Sequence, residues 1–152
     1  MGYIDFILFP FYLLLFALLF SVLRKNYTDP LLIKYHKQGF WIKVAVCIAF
    51  TIFNAYISPG DSTGLYHQEG NNIYKLILKN FNNIDLLFIN AKDFDETLLK
   101  DPENAGYLKT PSNLLVTKLV AIFSFLTFGK YMVLNLVFAL IAFTGTWKLF
   151  LF

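Results

Sequence analysis

Asp61 stands just past an apolar stretch, behind Ser58-Pro59-Gly60, with Ser62, Thr63, Tyr66, His67 and Glu69 close by in sequence. A carboxylate in such a half-dry position can have its pKa raised and act as a general base toward a hydroxyl. It can also bind a divalent cation through oxygen, with Glu69 as a second ligand. The competing reading is that Asp61 only caps the turn that Pro59-Gly60 begins. His67 and Glu69 are two residues apart and would lie on different faces of a helix, so a shared site needs a loop or strand. Lys118 sits a few residues inside a later apolar run. It either snorkels to the surface or meets an anionic group there, such as a lipid phosphate. The HExxH, CxxC, GxSxG and Gly-rich phosphate-loop patterns do not occur. The acids Asp93, Asp95 and Glu96 read as a solvated face.

The elements that must hold these residues are membrane helices. The chain is 57% hydrophobic and 19% aromatic, with a mean hydropathy of +0.57, well above the roughly 45–50% apolar content of soluble domains. Windows near 3–23, 41–57, 113–128 and 131–152 are apolar enough to cross a hydrocarbon core about 30 Å thick. Backbone groups in hydrocarbon must be satisfied internally, and continuous apolar runs favour helices over a barrel. The expected fold is all-α, a single polytopic membrane domain of about four spans. One long external loop over 58–112 carries short surface helices, including one from Asn71-Asn72 to about Phe81 with Ile73, Leu76, Ile77 and Phe81 on its apolar face.

Charge sets the orientation. Arg24, Lys25, Lys34, Lys37 and Lys43 face only Asp29 in the first polar stretch. The 58–112 loop has five lysines against eight carboxylates. The basic stretch is therefore expected in the cytoplasm, the acidic loop outside, and both termini outside, in a bacterial plasma (inner) membrane. The net charge of +3 is explained by topology, and no nucleic-acid motif accompanies it. Cys47, the single cysteine, reads as a small apolar packing residue. Asn135 reads as an interhelical hydrogen-bonding residue.

An acid near the end of an early span, followed by Tyr66 in a D-x-x-x-x-Y pattern and by surface helices, resembles the integral-membrane glycosyltransferases of the GT-C type. These use polyprenyl-phosphate-linked sugars. The resemblance implies Asp61 as catalytic acid or base, activating an acceptor or positioning a metal, with Tyr66, His67 and Lys118 toward substrate. The implied partners are membrane lipid, a polyprenyl-phosphate sugar and a protein that completes the fold. Such enzymes have more than seven spans, and this chain ends on Lys148-Leu149-Phe150-Leu151-Phe152 without a polar tail. An incomplete module is therefore expected: the first part of a longer protein, a truncated frame, or one piece of a split enzyme. The alternative is a non-catalytic membrane subunit or scaffold; a transporter piece is a third option.

Overall fold

The computed structural model describes residues 2–152, the Ser62 side chain apart, and the protein is an all-α polytopic membrane protein with no strand among the described residues. The chain divides into two compact units. One runs up to Phe53 and resumes at Lys130–Phe152; the other is Asn54–Gly129.

The first unit holds α1 (Tyr3–Arg24), α2 (Pro30–Ile52) and α6 (Tyr131–Phe150). Asp5 fastens the start of α1, its Oδ2 accepting the Gly2 N–H at 2.8 Å. Pro10 is accommodated inside the helix, as prolines in membrane helices commonly are. α2 begins eleven residues before the Trp41 start predicted from hydropathy. The cause is local: Asp29 caps it by accepting the Leu31 N–H at 2.8 Å, and Pro30 occupies the first helical position. Lys34, Lys37 and Lys43 are consequently helical, and the connection after α1 shrinks to five residues, Lys25–Asp29.

The core of this unit is aromatic. His36, only 3% exposed, lies among Phe20, Tyr27, Phe143 and Trp147, with ring centroids 4.8 to 5.7 Å away. Trp147 Nε1 donates to the Tyr27 hydroxyl at 2.8 Å. Asn135 makes the interhelical bond its type suggested, donating to Thr51 Oγ1 at 3.0 Å. Cys47 is buried in the same apolar cluster.

The second unit contains two π-helical turns, Phe53–Ile57 and Ser62–His67, then α3 (Gln68–Lys79), three short 3-10 turns, α4 (Ala105–Leu108) and α5 (Pro111–Thr127). α3 starts before the predicted Asn71 because the Ser62–His67 turn runs straight into it. Ile73 and Ile77 are buried as their spacing predicts, joining Leu65, Phe94, Leu108, Leu114 and Ala121 in one cluster. The 58–112 segment is not self-sufficient: α5 completes its core. α3 and α5 approach very closely at Gly70. A Cβ there would lie 2.5 Å from Val120 Cγ1 and 2.8 Å from the Thr117 carbonyl oxygen.

Among the described residues three helices are long and apolar enough to cross a membrane: Tyr3–Arg24, Pro30–Ile57 and Tyr131–Phe150. At 17 residues α5 measures about 25 Å. It reaches spanning length only together with Pro102–Leu108, from which it is bent by 114°. The count of four spans thus depends on whether that bent pair serves as one.

The close approach at Gly70 generates a stability prediction. Gly70→Ala should destabilise the second unit by about 1–3 kcal/mol through overpacking against Val120 and the Thr117 backbone. Gly64→Ala, where a Cβ meets nothing within 4 Å, should be neutral or mildly stabilising. Thermal unfolding of the two variants in detergent, which should move in different directions or by clearly different amounts, checks this.

Candidate functional site

Pro59 and Gly60 break the helix that ends at Ile57, and the chain turns into the Ser62–His67 π-helical turn. Gly60 stabilises that turn with its carbonyl, which accepts the Thr63 N–H at 3.0 Å, the Gly64 N–H at 2.9 Å and the Thr63 hydroxyl at 3.0 Å. Asp61 heads the turn without capping it: it makes no side-chain cap bond and is exposed. The Asp61 side chain is therefore not the cap; the Gly60 carbonyl accepts the first N–H groups of the turn instead.

Glu69 has a different role from the one its sequence position suggested. It is 1% exposed, and both of its oxygens are occupied. Oε2 accepts the Lys100 N–H at 2.9 Å; Oε1 accepts the Asp101 N–H at 3.0 Å and the Asn104 amide at 3.0 Å. A carboxylate sealed from water needs this many donors to offset its desolvation. Its chemistry is spent on fastening the 100–104 loop to α3, which leaves it unsuited to ligate a cation beside Asp61.

Tyr66 and Lys118 are also engaged. The Tyr66 hydroxyl donates to Asn113 Oδ1 at 3.0 Å, and Asn113 in turn donates to the Tyr107 carbonyl at 3.1 Å. This chain of bonds ties the π-helical turn to the start of α5. Lys118 Nζ donates to the Ile89 carbonyl, so the ammonium is held by a neutral backbone group rather than by an anion. Asp95 accepts both the N–H and the hydroxyl of Thr97, at 2.9 and 2.7 Å. These bonds hold its carboxyl below the ordinary range, the hydroxyl contributing most. The acid run is exposed as expected, with Glu96 paired to Lys109.

His67 belongs to a small polar cavity of about 150 Å³, lined also by Thr63, Gln68, Asn71, Asn72, Lys75 and Lys100. His67 Nε2 lies 3.1 Å from the Gly129 carbonyl, which fixes the ring with its proton on that nitrogen. Asn71 Oδ1 is buried without a hydrogen-bond partner. It is pressed against Gly129, where a Cβ would come within 2.2 Å of it. Gly129 has φ +65°, a conformation that glycine adopts at little cost. Asn72 Nδ2 donates to the Leu98 carbonyl at 2.7 Å.

Of the residues singled out by sequence, only His67 lines this cavity; Asp61, Tyr66, Glu69 and Lys118 do not. Lys75, Lys100 and the three amides were passed over. The signal for most of them was present: Thr63, His67, Asn71 and Lys75 recur every four residues, with Gln68 and Asn72 alongside. Lys100 had none, because its place follows from a bond to Glu69 across 31 positions. Among the described residues no group of three or more His, Cys, Asp or Glu is arranged to hold a metal ion.

The Glu69 cluster should be directly testable. Glu69→Ala strands three donors and should cost about 2 kcal/mol or more. Amide hydrogen exchange at Lys100–Asn104 should accelerate first, and Glu69→Gln, which keeps one acceptor, should have a smaller effect. Unchanged protection in Glu69→Ala would mean that the loop is held by something else.

No family model, no curated protein and no solved structure matches this chain.

Proposed function

We propose that this protein is a glycosyltransferase-like membrane module, working at the external membrane face on a sugar carried by a lipid phosphate. One observation carries the reading: Asp61, exposed and free of any capping bond, directly follows the exit of the Pro30–Ile57 helix. A carboxylate at that height can meet a lipid-borne donor and a water-side acceptor together. Asp61 takes the proton from the acceptor hydroxyl as its oxygen attacks the anomeric carbon. The bond from that carbon to the carrier phosphate breaks, and the phosphate leaves with the electron pair. With Glu69 committed to the 100–104 loop, the version with a cation shared between Asp61 and Glu69 is dropped.

The orientation is part of the proposal. A helix of 28 residues is about 42 Å long, about 12 Å more than the hydrocarbon core. Its first turns, with Lys34 and Lys37, then stand in the headgroup layer on the cytoplasmic side, beside Arg24 and Lys25. The second unit is external, and the membrane is a bacterial plasma membrane. With Cys47 replaced by Ser, an impermeant maleimide should label cysteine at Asp61 or Glu103 from outside and cysteine at Lys25 only after permeabilisation. The opposite pattern overturns this orientation.

A second reading, a non-catalytic subunit, is favoured by α1, whose Tyr3, Ile7, Phe11, Leu14 and Leu18 are exposed apolar residues. That face suits a neighbouring helix as well as lipid. Asp61→Asn separates the readings. In membranes containing the intact system, sugar transfer from lipid carrier to acceptor should fall by about 10²–10⁴-fold if Asp61 is the acid–base residue. Unchanged transfer, with a stoichiometric partner retained in mild detergent, would leave the subunit reading standing.

A further inference from the structure

The polar cavity beside α3 selects for charge in a way its surroundings do not. The 58–112 segment carries eight carboxylates and five lysines. Two of those lysines and a histidine line the cavity, and no carboxylate does. Neither the Lys75 nor the Lys100 ammonium has an ion-pair partner among the described residues. Gln68 and Asn71 line the same cavity, and their amide NH2 groups make no hydrogen bond among the described residues. Asn72, by contrast, is spent on Leu98. Two lysines and two amide side chains with uncommitted donors thus line one concave space.

The space is built from two independent pieces. Gln68, Asn71, Asn72 and Lys75 come from one face of α3, since their spacing of three and four residues stacks them over two turns. Lys100 comes from the loop that Glu69 holds across that helix by hydrogen bonds at 2.9 to 3.0 Å. Glu69 fixes the backbone of Lys100 beside α3, so both lysines line one cavity although like charges repel, an arrangement that an anion between them would favour.

We propose that this cavity binds a phosphate-type oxyanion. A volume of about 150 Å³ is well below the roughly 300–1,000 Å³ of pockets that enclose whole organic ligands. It suits a phosphoryl group and a few waters. A phosphate carries about −1.5 to −2 charge and three strong acceptor oxygens, matching two ammoniums and two amide donors better than a carboxylate does. The group is either free phosphate or the headgroup of a phosphomonoester lipid. The inference does not depend on Asp61, which does not line the cavity.

The test uses the full chain in an uncharged detergent, titrated with inorganic phosphate and followed by thermal stability and by ³¹P line broadening. In parallel, nanodiscs of phosphatidylcholine are compared with nanodiscs containing phosphatidic acid, with headgroup binding read by the same ³¹P signal. Saturable binding in both arms supports the shared chemistry. Binding of inorganic phosphate alone assigns a free anion, and binding of phosphatidic acid alone assigns a lipid headgroup. Lys75→Met and Lys100→Met should each weaken binding about tenfold. Lys79→Met, on the same helix but away from the cavity, and Asp61→Asn should leave it unchanged. No saturable binding in either arm, an equal response to chloride at matched ionic strength, or unaltered binding by the folded Lys75→Met, Lys100→Met double variant would overturn the proposal.

Discussion

The Asn54–Gly129 unit depends on one buried carboxylate and the three residues that follow it. Glu69 holds the 100–104 loop. Gly70 admits Val120 and the Thr117 backbone of α5. Asn71 abuts Gly129, and Asn72 holds the Leu98 carbonyl. Successive helical residues point about 100° apart, so four consecutive positions reach four different parts of the unit. Removing a carboxylate from water costs several kcal/mol unless donors replace the hydration. The three donors supplied by the loop are therefore a condition for α3 to pack as it does. The loop, whose only regular structure is the 3-10 turn Pro102–Asn104, depends on Glu69 in return.

That mutual dependence also organises charge. In a segment with more acids than bases, most acids remain at the surface, where Asp95 caps its own short turn and Glu96 pairs with Lys109. The inward carboxylate is neutralised by N–H donors rather than by a lysine. Among the described residues, Lys75 and Lys100 are left without carboxylate partners. An ion pair between Glu69 and either lysine would have satisfied the acid and erased the basic character of the cavity. Two backbone N–H groups and the Asn104 amide satisfy the acid and leave the ammoniums available.

Much of the helical framework was legible because hydrocarbon imposes a simple demand on composition. α1 and α6 lie where continuous apolar sequence places them, and Ile73 and Ile77 are buried as a period near 3.6 requires. Hydropathy alone puts the start of α2 too late, because Asp29-Pro30 is a helix-start signal that lies outside the apolar run. α5 reads as a span by composition, yet it is short and packs its buried face, Leu114 and Ala121, against α3. The site was less legible, for a physical reason. Glu69 looked available to ligate a cation because its donors, Lys100, Asp101 and Asn104, lie more than 30 residues away and two of them act through backbone N–H groups. A backbone donor has no residue type to announce it.

The π-helical turns on either side of Ser58–Asp61 explain how an acid and a polar cavity share one short stretch without merging. Such turns are rare and recur where function needs a side chain re-aimed. In a uniform α-helix a stripe of every fourth residue drifts by about 40° per step. The wider Ser62–His67 turn rotates less per residue, which offsets that drift and keeps Thr63 and His67 over Asn71 and Lys75. The same geometry leaves Asp61 at the head of the turn, where the Gly60 carbonyl has already accepted the Thr63 and Gly64 N–H groups a cap would serve. A carboxylate relieved of capping and a stripe of donors behind it are thus two consequences of one backbone irregularity. A change that straightened the turn would disturb the acid and the cavity together, whereas replacing a side chain in one should leave the other intact.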